Sequence, residues 1–133
     1  MSYEPSYYSA TWDEDGTKYV LARITRPSTA YSMVIASATD FSSITRAVYA
    51  VPSSTVISAS TALTLASVVL SAYSTGNIWD ADGTGFNFVD RVPSTCFPNA
   101  GVNELVEYKF TLTSGDEGYL RVRGPVLGRT EGS

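Results

Sequence analysis

The stretch from residue 104 to residue 123 constrains the fold most tightly. Val106, Tyr108, Phe110 and Leu112 alternate with Glu107, Lys109, Thr111 and Thr113. Ser114-Gly115-Asp116-Glu117-Gly118 then supplies turn residues, and Leu120 and Val122 alternate with Arg121 and Arg123 on the return. A period of two puts every second side chain on one face of a strand. A hairpin of this kind buries one face, wets the other and needs a second layer to cover it. Glu107 or Lys109 opposite Arg121 or Arg123 gives cross-strand ion pairs, each worth roughly a few tenths of a kcal/mol. Gly124-Pro125 is expected to close the return strand.

The rest of the chain supplies candidates for that layer. Lys18–Thr25 has Val20, Ala22 and Ile24 on one face and is expected to end at Pro27. Residues 31–36 form a second short candidate. Residues 44–51 form a third, apolar on both faces apart from Thr45 and Arg46 and broken by Pro52-Ser53-Ser54. Another begins at Val56-Ile57, and Phe86–Val92 places Phe86 and Phe88 together. Residues 61–73 carry two periods: Leu63, Ser67 and Leu70 at helical spacing, Val68, Leu70 and Ala72 in alternation. Their β-branched and hydroxyl residues favour one long strand. Pro93 to Gly101 is a loop with room for one helical turn. The 18 Ser and 15 Thr agree with strands and turns. The expectation is an all-β chain, an antiparallel β-sandwich of jelly-roll or immunoglobulin-like type. It comprises an N-terminal arm at 1–11, one domain at 12–126 and a tail at 127–133.

One hexapeptide occurs twice. Trp12-Asp13-Glu14-Asp15-Gly16-Thr17 returns as Trp79-Asp80-Ala81-Asp82-Gly83-Thr84. Each copy is followed by an aromatic residue, an arginine and Pro-Ser-Thr. Asp-x-Asp-Gly resembles the opening of a calcium loop, but the glycine comes too early for an EF-hand and no glutamate closes the loop. Asp and Gly are also the residues a tight turn uses. The turn is the preferred reading, with Trp12, Gly16, Trp79 and Gly83 as its structural anchors and no metal bound. Exposed tryptophans at these positions would instead suit a sugar platform, so a carbohydrate- or calcium-binding module is carried as an alternative.

The chain has no histidine, which removes the commonest acid/base group and any Ser-His or Cys-His nucleophile pair. Asp13, Glu14, Asp15, Asp80, Asp82, Asp116 and Glu117 fall in turn contexts. Asp40, Asp90, Glu104 and Glu107 remain as carboxylates without a recommending pattern. No catalytic residue and no cofactor is expected. Cys96, the one cysteine, admits no intrachain disulfide and reads as a small buried hydrophobe. A net charge of −4 disfavours nucleic acid. No apolar run is long enough for a membrane helix, and Met-Ser-Tyr-Glu-Pro lacks the regions of a signal peptide, so a cytoplasmic origin is expected. Tyr3, Tyr7 and Tyr8 around Pro5 form either an edge strand on their own domain or an arm laid on a neighbour. With Arg121 and Arg123 they are the candidate interface residues, since Tyr and Arg are enriched in interfaces.

A resemblance extends this reading. Ile78-Trp79-Asp80-Ala81-Asp82-Gly83-Thr84-Gly85-Phe86-Asn87-Phe88, then Val92-Pro93, Phe97-Pro98 and Val106-Glu107-Tyr108-Lys109-Phe110, look like small β-sandwich structural proteins of tailed bacteriophages. The likeness covers roughly residues 40–126 and extends more loosely to the N-terminal sandwich of upper-baseplate proteins. It implies a virion component assembled in the host cytoplasm. The kind implied is an accessory capsid protein (cement or decoration) that binds the major capsid protein, with a baseplate or tail-appendage piece as the alternative. Assembly as a homo-oligomer, a trimer, is implied in the same way.

Overall fold

The computed structural model describes residues 7–29, 32–35, 37–75, 83 and 85–128. The strands among them are β1 (Tyr7–Ser9), β2 (Trp12–Asp13), β3 (Lys18–Ala22), β4 (Thr25–Thr29), β5 (Ser32–Ile35), β6 (Phe41–Val51), β7 (Thr55–Ala62), β8 (Val69–Ser74), β9 (Phe86–Val92), β10 (Asn103–Leu112) and β11 (Glu117–Leu127). One helical turn, α1 (Leu65–Val68), precedes β8, and short 3-10 turns lie at Ala38–Asp40 and Ser94–Cys96. The chain is all-β in class.

The β10–β11 hairpin is the centre of the larger sheet. Tyr108 pairs with Leu120 and Glu107 with Arg121, so the two apolar rows share one face. β6 pairs antiparallel with the other edge of β10, matching Val106 with Val48 and Phe110 with Ile44. The sheet runs β1-β11-β10-β6-β7, with β2 also on β11. It is mixed rather than purely antiparallel, because β1 and β2 both run parallel to β11. The parallel pairing arises because the N-terminal segment travels alongside β11 in two instalments, at Arg121–Arg123 and again at Val126–Leu127. Between them Ala10 donates to the Arg123 carbonyl. A Cβ on Gly124 would lie 1.5 Å from the Ala10 carbonyl oxygen, so only glycine admits this approach. The strand therefore continues through Gly124-Pro125 to Leu127, although the sequence places its end at Gly124-Pro125.

The second sheet is β3-β9-β8, and β4-β5 form a separate ribbon. β4 continues through Pro27, where the sequence predicts a stop. A two-stranded ribbon has free edges on which a missing N–H is tolerated. β3 leaves β9 after the Ala22–Phe88 pair. Asn87 then takes over the role of a neighbouring strand: its Oδ1 accepts from Ile24 N at 2.6 Å and its Nδ2 donates to Ile24 O at 2.8 Å. Its full burial is satisfied by these two bonds.

The long strand expected at 61–73 is divided. β7 ends at Ala62, Ser67 and Val68 amides donate to the Thr64 carbonyl in α1, and β8 joins the second sheet. A straight strand stays within one sheet; this segment passes from one to the other, and the helical turn makes the passage. That tertiary demand outweighs the β propensity of its Ser, Thr and Val residues.

Both sheets face one core. Phe88 of β9 meets Tyr108 and Phe110 of β10 edge-on, with ring centroids 5.0 and 5.3 Å apart. Val20, Ala22, Ile24, Ile44, Val48, Val106, Leu120 and Val122 complete it. Cys96 is buried in the same cluster.

Candidate functional site

The first hexapeptide forms a tight turn. Gly16 N donates to Asp13 O at 2.9 Å, and Asp15 takes a left-handed φ of 56°. Two of its amides are bound to distant backbone: Glu14 N to Leu127 O and Asp15 N to Phe97 O, both at 2.8 Å. A Cβ on Gly16 would come within 3.0 Å of the Asp13 Cβ. Trp12 is fully buried, stacks on Phe97 with centroids 4.8 Å apart, and donates from Nε1 to the Glu104 carbonyl at 3.2 Å. It therefore offers no ring face to a sugar. Of the second copy, Gly83 is exposed and Trp79, Asp80 and Asp82 lie outside the described residues. Among the described residues no three His, Cys, Asp or Glu converge as metal ligands.

Of the candidate interface residues, Tyr7 and Tyr8 lie on β1, an edge of the larger sheet, and Arg121 and Arg123 on β11 beside it. Tyr7 pairs with Arg121, Tyr8 with Val122 and Ser9 with Arg123. Tyr3 and the side chains of Tyr7 and Tyr8 lie outside the described set. Arg121 bonds Glu107 through Nε at 2.7 Å and lies over the Tyr119 ring, 4.7 Å from its centroid. Lys109 pairs instead with Glu117 at 3.2 Å. Arg123 is exposed.

Sequence reasoning missed a polar seam inside the core. Arg46 of β6 donates from Nη1 to Asp90 Oδ2 of β9 at 2.7 Å, and the Tyr108 hydroxyl of β10 donates to the same oxygen at 2.7 Å. All three are buried. Burial alone would lower the Arg46 pKa; the bond to Asp90 and its charge outweigh that and raise it. Tyr108 is held well above its ordinary value by burial and by the Asp90 charge. Arg46 Nε is buried without a partner. Further along β10, Glu104 is fully buried with neither carboxylate oxygen bonded, and burial pushes its pKa to about 7. Burial likewise pushes the Cys96 thiol up, against the pull of Arg46. The missed signal is parity. Arg46 is in phase with Ile44 and Val48, Asp90 with Phe88 and Val92, and Glu104 with Val106 and Tyr108.

A cleft of about 500 Å³ opens onto this seam. β7 stops at Ala62, Leu63 N holds to Ile44 O, and α1 carries the chain across. β8 pairs with β9 at Phe86 and Phe88, leaving Val89–Arg91 beside α1. The gap is lined by Arg46, Asp90, Arg91, Ser67, Thr61 and Tyr19, among others.

Compared with known proteins, the chain matches no protein-family model, no curated protein and no solved structure.

Proposed function

We propose that this chain is a non-enzymatic structural protein of a bacteriophage virion, an accessory capsid (cement or decoration) protein that stabilises a lattice through protein–protein contacts. The observation that supports it best is β7. This strand ends the larger sheet, and Thr55-Val56-Ile57-Ser58-Ala59-Ser60-Thr61-Ala62 holds no charge and no proline. Its pairing with β6 shifts register at Arg46/Val48 and Val48/Tyr49, but Val56 remains 56% exposed. Edge strands of proteins that act alone are commonly guarded by charge or proline, because their free N–H and C=O groups pair with other chains. A lattice protein uses such an edge as a contact. The opposite edge, with β1 and Arg123, offers a second contact, so one subunit can bridge two neighbours. The two sheets read in this setting as the faces of a stiff jelly-roll or immunoglobulin-like sandwich, in line with the phage resemblance of residues 40–126. A baseplate or tail-appendage protein is the alternative setting for the same contacts.

Light scattering on the purified protein is expected to show a homo-oligomer, and mass spectrometry of purified virions is expected to find the chain. The double variant V56K/S60K keeps the melting temperature and loses association. A strict monomer that is absent from virions overturns the reading.

A further inference from the structure

The cleft over Arg46 and Asp90 sets a charged pair among apolar walls, Leu63, Val68 and Val89, and a lattice role leaves it without a use. We propose that it binds carbohydrate, one hexose unit seated against the Arg46–Asp90 pair with Tyr19 beside it. This goes beyond the structural role and does not depend on it.

The chemistry of the lining carries the assignment. Arg46 and Asp90 meet through Nη1 and Oδ2, a contact that uses neither Nη2 nor Oδ1. A fixed guanidinium next to a fixed carboxylate offers a donor and an acceptor side by side. Two adjacent hydroxyls of a sugar match that pattern, each hydroxyl both giving and taking a hydrogen bond. The pair is held in place before any ligand arrives, because the Tyr108 hydroxyl donates to the same Asp90 oxygen, and 10% of the Arg46 side chain stays open. Preorganisation of this kind lowers the entropy cost of binding. Ser67 and Thr61 add hydroxyls on the α1 and β7 sides.

Tyr19 supplies an apolar surface. It lines the cleft, is 51% exposed and sits directly across from Arg91 in the β3–β9 register. An amphipathic ring in a cleft of mixed polar and apolar lining suits the C–H face of a pyranose. A volume of about 500 Å³ falls within the usual range of small-ligand sites. A phosphate fits less well: it would set its charge against Asp90, whose own charge already balances Arg46. The sugar platform suggested by the Trp12 motif thus moves to a different ring, since Trp12 is sealed in the core.

The test is an amide chemical-shift titration of the full chain. The probes are methyl α-glucopyranoside, methyl β-galactopyranoside, N-acetylglucosamine and maltose, with glycerol and inorganic phosphate as controls. At least one sugar is expected to give saturable shifts at Tyr19, Ser67 and Arg91. Tyr19→Ala and Arg91→Ala are each expected to weaken that binding about tenfold while melting as the parent does. Three results overturn the proposal: no sugar shifts these residues, glycerol or phosphate shifts them as strongly as any sugar, or both variants bind unchanged.

Discussion

Asp90 and Glu104 both stand on inward strand positions of the same core, Glu104 fully buried and Asp90 buried but lining the cleft. Asp90 is met by a guanidinium and a phenol at 2.7 Å each. Glu104 is met by neither cation nor donor; the bond at its position comes from Trp12 to its backbone carbonyl. An acid inside a protein must either be paired or be neutral. The fold takes the first course at the β6–β9–β10 crossing and the second where β10 passes Gly124. The Asp90 end is therefore a fixed electrostatic joint between the sheets, and the Glu104 end is a store of pH-dependent instability.

The comparison breaks most visibly at the joint. Asp90→Ala leaves the Arg46 guanidinium buried and unpaired, and a broken buried pair costs about 3–5 kcal/mol. Urea unfolding is expected to show that loss; a change no larger than that of a surface pair would mean that the pair is no joint between the sheets. The next effect belongs to Glu104. Its pKa rises from 4.5 to about 7 on folding. Below 4.5 the carboxyl is neutral in both states, so burial carries no charge penalty. Between the two values the folded chain keeps a proton that the unfolded chain releases, and stability falls as pH rises. Above 7 both states are ionised and the loss is complete, roughly 3 kcal/mol. The melting temperature is expected to drop between pH 5 and pH 8, and Glu104→Gln to flatten that drop and melt higher at pH 8. An unchanged slope in the variant assigns the pH dependence elsewhere. The smallest effect is on the wet face. Glu107 and Arg121 also meet at 2.7 Å, but their side chains remain 23% and 29% exposed. Arg121→Ala is expected to cost below about 1 kcal/mol and to lose even that in high salt. Equal distances with unequal costs would show that burial, not contact length, sets the energy.

The hairpin was readable from local pattern alone. Alternation at 106–112 and 120–122 placed each side chain on the correct face, and the register then set Glu107 against Arg121. The polar seam was missed although parity held its signal, because Asp90 gave no sign of its role until Arg46 was placed 44 positions away in sequence beside it. Residues 61–73 failed for the opposite reason. Their composition favours strand, and the need for a helical turn appears only when β7 and β8 lie in different sheets. The parallel course of β1 and β2 along β11 was equally hidden, because a short segment at the N-terminus carries no mark of which edge it will join.

By itself the sequence determined an all-β chain, the apolar faces of its strands, the turn at Asp13–Gly16 and the absence of histidine. These follow from the two-residue period, from Asp and Gly turn chemistry and from composition, all of which act over a few positions. The tertiary structure alone decided the mixed sheet, the passage through α1, the pairing of Asp90, the isolation of Glu104 and the cleft over Arg46 and Asp90. Those depend on which distant strands meet, and a local period says where a side chain points without saying what it will find there.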